Sequence, residues 1–399
     1  MDPVFIVALV VVIALFFDFT NGFHDTANAM ATPIATGALK PKTAVAIAAL
    51  MNLAGAFLST AVAKTISVSM LNVDLSAFKD GAILVLAGLT GAILWNLATW
   101  LLGLPSSSSH ALFGGLIGST LAYAGAAAIN GDKIIEKVLI PAILAPVVAG
   151  IAAWFATRLA YIATARTQAT RKKSGISTGR STFKLGQVFS SSLVALAHGT
   201  NDAQKTMGVI TLVLIATGFQ SKDAGVAVWV IFASAAAIAL GTYMGGWRII
   251  KTLGAGLSEI KPAQGFAAEV ASGSTILASS ALGFALSTTQ VSSGAIIGSG
   301  LGRKGGAVKW GKAGQIVIGW LLTLPAAGLI GALSAYITMI PGVGTLILLV
   351  ATSAVVWVIW RISQRNKINH QHVGVAAVET AGKAVLSPKK AAKAKKGKN

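Results

Sequence analysis

Asn21-Gly22-Phe23-His24-Asp25-Thr26-Ala27-Asn28-Ala29-Met30 lies inside the first apolar stretch of the chain. His198-Gly199-Thr200-Asn201-Asp202-Ala203-Gln204-Lys205-Thr206-Met207 lies inside another, near the midpoint. Each places a glycine, an aspartate three residues on and a polar residue three further on (Gly22, Asp25, Asn28; Gly199, Asp202, Lys205) within sequence greasy enough to cross a bilayer. A carboxylate at membrane depth costs at least ~2.5–3.5 kcal/mol on insertion scales and marks a functional site by default. Two related copies predict a site built where two halves of the chain meet, as in secondary transporters.

Of the 399 residues, 54% are hydrophobic and 11% charged, whereas a soluble domain carries about a quarter charged residues. Mean hydropathy is +0.74. The chain is therefore read as an all-α polytopic protein whose surroundings are the lipid bilayer. It contains no cysteine, which excludes disulfides, zinc thiolates and thiol nucleophiles. Metal sites built only from His and carboxylate remain open, but the five histidines are scattered, and no metal motif or nucleophile–base set is evident. Neither a metal site, a bound cofactor nor enzymatic activity is expected. The net charge of +20 sits in short loops and in the tail, so nucleic acid is not an expected partner. The N-terminus lacks a basic n-region and a small-residue cleavage site, and reads as a mature first span.

A span needs ~20 apolar residues. Single candidates are Thr43–Ala63, Gly81–Leu102, Leu112–Ile129 and Val138–Tyr161, then Gly225–Trp247, Ala267–Leu286, the short Ser293–Leu301, Ala313–Ile337 and Val343–Trp360. Val4–Ala38 and Leu185–Thr217 each exceed thirty residues, roughly 50 Å of helix. A break is expected at Asn21–His24 and at Gly199–Asn201, its freed backbone groups lining a cavity. This gives about ten spans (10–12), five per half, and an odd number inverts the second half relative to the first. The expected organisation is a first membrane repeat over 1–163, a basic linker over 164–184, a second repeat over 185–361 and a Lys-rich, solvated tail over 362–399. Lys40 and Lys42, the basic run from Arg158 to Lys184, Arg248, Lys251 and Lys261, the group from Arg303 to Lys312, and the tail all fall on one side of this scheme. By the positive-inside rule that side is cytoplasmic. The expectation is a cell-membrane protein with its N-terminus outside and its C-terminus in the cytoplasm.

A second signature is also duplicated. Gly103-Leu104-Pro105-Ser106-Ser107-Ser108-Ser109-His110 is followed by Gly114, Gly118 and Ser119. At a constant offset, Gly283-Phe284-Ala285-Leu286-Ser287-Thr288-Thr289-Gln290 is followed by Gly294, Gly298 and Ser299. Two Ser/Thr-rich hairpins would dip toward the middle from opposite faces. Helix starts after such turns offer free N–H groups and a positive dipole end, which suit an anion. The hydroxyl lone pairs suit a hard cation such as sodium. Taken singly, each feature has a plainer reading. Serine in a membrane helix bonds a carbonyl one turn back, and Gly114 and Gly118 pack helices. His24, His110 and His198 are ordinary hydrogen-bonded residues, Asp18 sits near the break or pairs locally, and Glu269 lies at a span end facing the interface. Matched duplication in both halves is what favours the functional reading.

These paired motifs resemble the inorganic phosphate transporter (PiT) family, whose motif reads approximately Gly-Ala-Asn-Asp-Val-Ala-Asn-Ala. Gly199, Asn201, Asp202 and Lys205 match its second-half form. Gly22, Asp25, Ala27, Asn28 and Ala29 match in the first half, where Phe23 and His24 replace Ala-Asn. Ser107, Ser108, Ser109 and His110 match the hairpin motif, whose second copy has Ala285 for Pro and Gln290 for His. The resemblance covers roughly Val4–Trp360. It implies an inverted-repeat fold and uptake of inorganic phosphate coupled to H+ or Na+. Asp25 and Asp202 would repel phosphate directly, so with Asn201 and Asn21 they are assigned to the coupling ion. Ser107, Ser108, Ser109, Thr288, Thr289, Lys205 and Asn28 are assigned to phosphate, and His24 and His110 to proton-linked roles. Alternating access would move one repeat assembly against the other. The alternatives are a sulfate or other oxyanion permease of the same fold and, in a different class, an ion channel with re-entrant hairpins. A homodimer is compatible with this reading.

Overall fold

In lipid, every backbone N–H and C=O must find its partner within the chain, and a helix does this locally. The computed structural model, which describes residues 3–69, 81–171, 179–221 and 223–373, is accordingly built of helices. The first half contains α1 (Pro3–Ala35), α2 (Pro41–Gly55), α3 (Ala61–Ser69), α4 (Gly81–Leu102), α5 (Ser108–Ala124), the short α6 (Gly131–Ile134) and α7 (Ile140–Arg171). The second contains α8 (Gly179–Ala216), α9 (Val228–Met244), α10 (Trp247–Lys251), α11 (Pro262–Ala281), α12 (Thr288–Gly302) and α13 (Trp310–Thr338), followed by α14 (Gly344–Arg365).

The halves are interwoven. α1 packs on α9, and its counterpart α8 packs on α2. α5 packs on α13, and α12 packs on α7. Glycines set these approaches. A Cβ built on Gly118 would lie 1.9 Å from the Gly328 carbonyl oxygen, and one on Gly298 would lie 1.9 Å from that of Gly150. The same pairing joins Gly22 to the Ile238 carbonyl (2.3 Å) and Gly199 to that of Asn52 (2.2 Å). Small residues let membrane helices meet backbone to backbone, where dispersion and packing replace the hydrophobic drive.

The expected breaks at Asn21–His24 and Gly199–Asn201 do not occur: α1 and α8 run through both motifs without interruption. Gly22 and Gly199 serve a neighbouring backbone, and side chains meet the motif's polar groups. The interruptions fall one element later. Thr43–Ala63 divides into α2 and α3, and Gly225–Trp247 bends by 56° between Val228–Met244 and Trp247–Gly256. Gly245 makes that bend at φ 76°. Among the described residues, five helices are long and apolar enough to cross a bilayer on their own, or six if the bent pair counts as one. The protein is thus multi-pass, but this measure does not give ten single spans. α2, α5, α9 and α12 have only 15 to 17 residues each. Ser293–Leu301 is part of α12, the equal of α5, so it stands on the same footing as Leu112–Ile129. Within the stretch expected as the linker at 164–184, α7 runs to Arg171 and α8 begins at Gly179. Residues 172–178 and the tail beyond 373 lie outside the described residues.

Basic groups gather at one end. Lys184 Nζ donates to the Gly37 carbonyl (3.1 Å), and Arg248 donates to those of Leu101 (3.3 Å), Ser363 (3.0 Å) and Asn366 (2.7 Å). Lys309 Nζ donates to the Ala255 carbonyl (2.7 Å). These bonds hold the C-terminal ends of α1, α4 and α14 together with the start of α8 and the α9–α10 bend. Glu269 is not interfacial, since it is buried on α11 between α1 and α8.

Gly118→Ala and Gly298→Ala should each destabilise the fold by about 1–3 kcal/mol through overpacking. Gly314→Ala, whose Cβ meets nothing within 4 Å, should stay within about 0.5 kcal/mol. Thermal unfolding of the detergent-purified protein compares the three.

Candidate functional site

Two helix starts meet from opposite halves. Gly103 (φ 66°) ends α4 and Gly283 (φ 72°) ends α11, each in the left-handed region that favours glycine. The chain then turns into α5 and α12 through matched caps. Ser107 Oγ accepts from the His110 amide (3.2 Å), and Ser287 Oγ accepts from the Gln290 amide (3.3 Å). The first-turn amides of Ser108, Ser109, Thr288 and Thr289 are left without intrahelical acceptors, at the positive ends of the two helix dipoles. Ser109 Oγ donates to the Leu286 carbonyl (3.0 Å), tying one hairpin to the other.

Between these starts lie the two motif carboxylates, both buried. Asp25 Oδ1 lies 2.6 Å from His24 Nδ1 and accepts from Thr289 Oγ1 (3.1 Å). Its Oδ2 accepts from Ser108 Oγ (3.2 Å). Asp202 Oδ1 is ion-paired with Lys205 Nζ, and its Oδ2 accepts from Asn21 Nδ2 (3.4 Å). The Thr288 hydroxyl lies between the carboxylates, 3.3 Å from Asp25 Oδ2 and 3.2 Å from Asp202 Oδ2. Asn28 Nδ2 donates to Thr288 Oγ1 (3.3 Å) and Thr289 Oγ1 (3.0 Å). With its amide oxygen toward Ser280, Asn201 donates to Asp202 Oδ1 (3.0 Å) and to the Leu286 carbonyl (3.2 Å).

The fold therefore gathers Asp25, Asp202, Asn21, Asn28, Asn201, Lys205, Ser108, Thr288 and Thr289 into one cluster. Ser107 and Ser109 stand beside it, one capping a helix and the other joining the hairpins. His24 reaches outward from Asp25 to Ser106 Oγ (3.3 Å) and Thr99 Oγ1 (3.5 Å). His110 is buried and takes part through its capped amide.

Sequence reasoning missed His198. Its Nε2 lies 3.0 Å from Asp202 Oδ2 and 3.8 Å from Asp25 Oδ2, while its Nδ1 lies 3.2 Å from Asn52 Oδ1. No metal-ligating set was expected, yet Asp25, His198 and Asp202 each bring one ligand atom within 4.8 Å of the others. Such a cluster can take a proton or a small cation. The available signal was register: His198 occupies in the second motif the position of Asn21 in the first, and Asn201 occupies that of His24. Glu269 was missed as a second polar centre. Its carboxylate accepts from Thr32 Oγ1 (2.5 Å), Gln187 Nε2 (3.1 Å) and Ser190 Oγ.

Such a site, shared by two interwoven halves within a multi-pass helical body, belongs to a membrane transporter. Residues 21–331 match the model of the phosphate transporter family. The chain is 52% identical over 375 residues to a probable low-affinity inorganic phosphate transporter of Mycobacterium leprae (strain TN), covering 92% of this chain and 87% of that one. It is 40% identical over 338 residues to a probable low-affinity inorganic phosphate transporter of Bacillus subtilis (strain 168), covering 84% and 98%. A solved structure titled "The sodium-dependent phosphate transporter" superposes with a TM-score of 0.72 at 23% identity, covering 84% of this chain and 99% of that chain; it bears on the fold alone. The chain belongs to the phosphate transporter family, whose members are transporters and not enzymes.

Asp202→Asn should abolish coupled uptake. It also leaves the Lys205 ammonium buried without its carboxylate, a cost of about 3–5 kcal/mol. Asp202→Asn combined with Lys205→Met should recover the thermal stability but not the uptake. Full transport by either variant would contradict the placement of Asp202 in the site.

Proposed function

We propose that this protein carries inorganic phosphate across the cell membrane, coupled to the entry of a cation, by alternating access. The supporting observation is that one hydroxyl, Thr288 Oγ1, contacts carboxylates from both halves. Ser108, Thr288 and Thr289 can each donate a single proton. While Asp25 and Asp202 are bare anions, they hold those donors. A cation or proton on the carboxylates releases the donors to phosphate oxygens and removes the charge that would repel a mono- or dianion. Coupling then follows from competition for the same hydrogen bonds. The amides at the starts of α5 and α12 would add N–H groups to the cradle, and Lys205 and Asn28 would flank it.

Protons are favoured as the coupling ion by the two acid–base contacts, His24 with Asp25 (2.6 Å) and His198 with Asp202 (3.0 Å). Imidazole is the side chain whose ordinary titration falls near neutral pH. The rocking units in this reading are the repeats over 1–163 and 185–361, joined by the basic linker over 164–184 and followed by the tail over 362–399. The gathered basic end lies in the cytoplasm with the C-terminus, and the N-terminus lies outside.

Uptake of labelled phosphate into proteoliposomes, under separately imposed pH and sodium gradients, tests this. Accumulation driven by an acidic exterior, without sodium, and competed by arsenate but not by sulfate, is expected. Accumulation driven by sodium alone would reassign the ion, and competition by sulfate would reassign the anion. Current without stoichiometric phosphate movement would make the protein a channel.

A further inference from the structure

Asp18, Asp25 and Thr32 follow one another at seven-residue intervals on α1, two helical turns or roughly 10 Å apart, on one face of the helix. Asp25 belongs to the central cluster, and Thr32 bonds Glu269. Asp18 has no such assignment. Its carboxyl is fully buried, and neither oxygen has a hydrogen-bond partner among the described residues. α8, which packs on α1, brings toward it the Thr206 hydroxyl and the charged or titratable Asp202, His198 and Lys205. Thr206 Oγ1 is likewise buried without a completed hydrogen bond, as is the Oδ1 of Asn21, one turn along α1 from Asp18.

A buried carboxylate anion with no more than the Thr206 hydroxyl to donate to it is costly. Ionised, Asp18 would also be a third negative charge beside Asp25 and Asp202, against one fixed cation, Lys205. A neutral carboxyl removes both penalties, and its O–H is a donor for the Thr206 oxygen. Asp18 lies on the N-terminal side of Asp25, the end of α1 away from the gathered basic groups.

Building on the phosphate–proton reading above, we propose that Asp18 is a proton-binding site that loads the central cluster from the α1 N-terminal side, with Thr206 as the hydroxyl between. In the transfer, the Asp18 O–H bond breaks as a new O–H bond forms on Thr206 Oγ1, and the original Thr206 O–H bond breaks as an O–H bond forms on Asp202 or an N–H bond forms on His198 Nε2. Asp18 is left as a carboxylate, and hydronium in the water on the N-terminal side reprotonates it, leaving water. No other reactant is needed.

The test compares two fluxes in proteoliposomes: phosphate–phosphate exchange at equal pH, which moves no net protons, and net uptake driven by a pH gradient. Asp18→Asn keeps the shape and removes the titration. The ratio of net uptake to exchange should fall on the order of tenfold or more, and Asp18→Glu should restore it. Thr206→Val should lower the same ratio. If Asp18→Asn accumulates phosphate like the wild type, or loses exchange and uptake equally, the proposal is overturned. A wild type that exchanges phosphate but ignores the pH gradient would instead remove the proton reading itself, and this proposal with it.

Discussion

Two buried carboxylates that belong to opposite halves of one chain are bridged by a single threonine hydroxyl. Everything else in the fold answers to the cost of that arrangement. Charges of like sign in a low-dielectric interior repel strongly, and each buried carboxylate needs donors. Asp25 finds His24, Ser108 and Thr289, Asp202 finds Lys205, His198 and Asn21, and Thr288 serves both. Neither half supplies a complete set alone. Thr288 and Thr289 come from the second half to the first half's Asp25, and Asn21 crosses in the other direction.

Helices must approach closely for these contacts to form. The glycines that permit it come in matched pairs: Gly22 with Gly199, and Gly118 with Gly298. Each pair repeats one backbone contact in both halves, so the packing has an approximate twofold character even where the side chains do not. The site itself breaks that symmetry. Asn28 stands where the second half has Lys205, and His and Asn exchange places around the two aspartates. One half therefore carries the fixed positive charge. The other presents neutral donors and an imidazole beside its carboxylate.

The duplicated motifs, the hairpin serines and the gathering of basic groups at one end were legible in the sequence, because each rests on spacing or on charge along the chain. The continuity of α1 and α8 was not. A stretch longer than the bilayer is thick, with polar residues inside it, reads as broken when several of the donors that satisfy those residues come from other helices far along the chain. Thr288 satisfies Asp25 across 263 positions, and no local rule reveals that. Gly22 and Gly199 were read as helix breakers when their role is contact with another backbone. The bend that does occur follows Gly245, whose positive φ follows from the turn. Glu269 was underrated for the same reason: an isolated polar residue near a span end looks interfacial until tertiary packing closes over it. His198 reads as an ordinary hydrogen-bonded residue until the fold brings Asp25 beside Asp202.

The shared cradle is tested most directly by locating phosphate. A cryo-electron microscopy structure of the protein in lipid nanodiscs with saturating phosphate should place an oxyanion within hydrogen-bonding distance of both helix starts, Ser108 in one half and Thr288–Thr289 in the other. Density held by one half alone, or lying away from Asp25 and Asp202, would contradict the account.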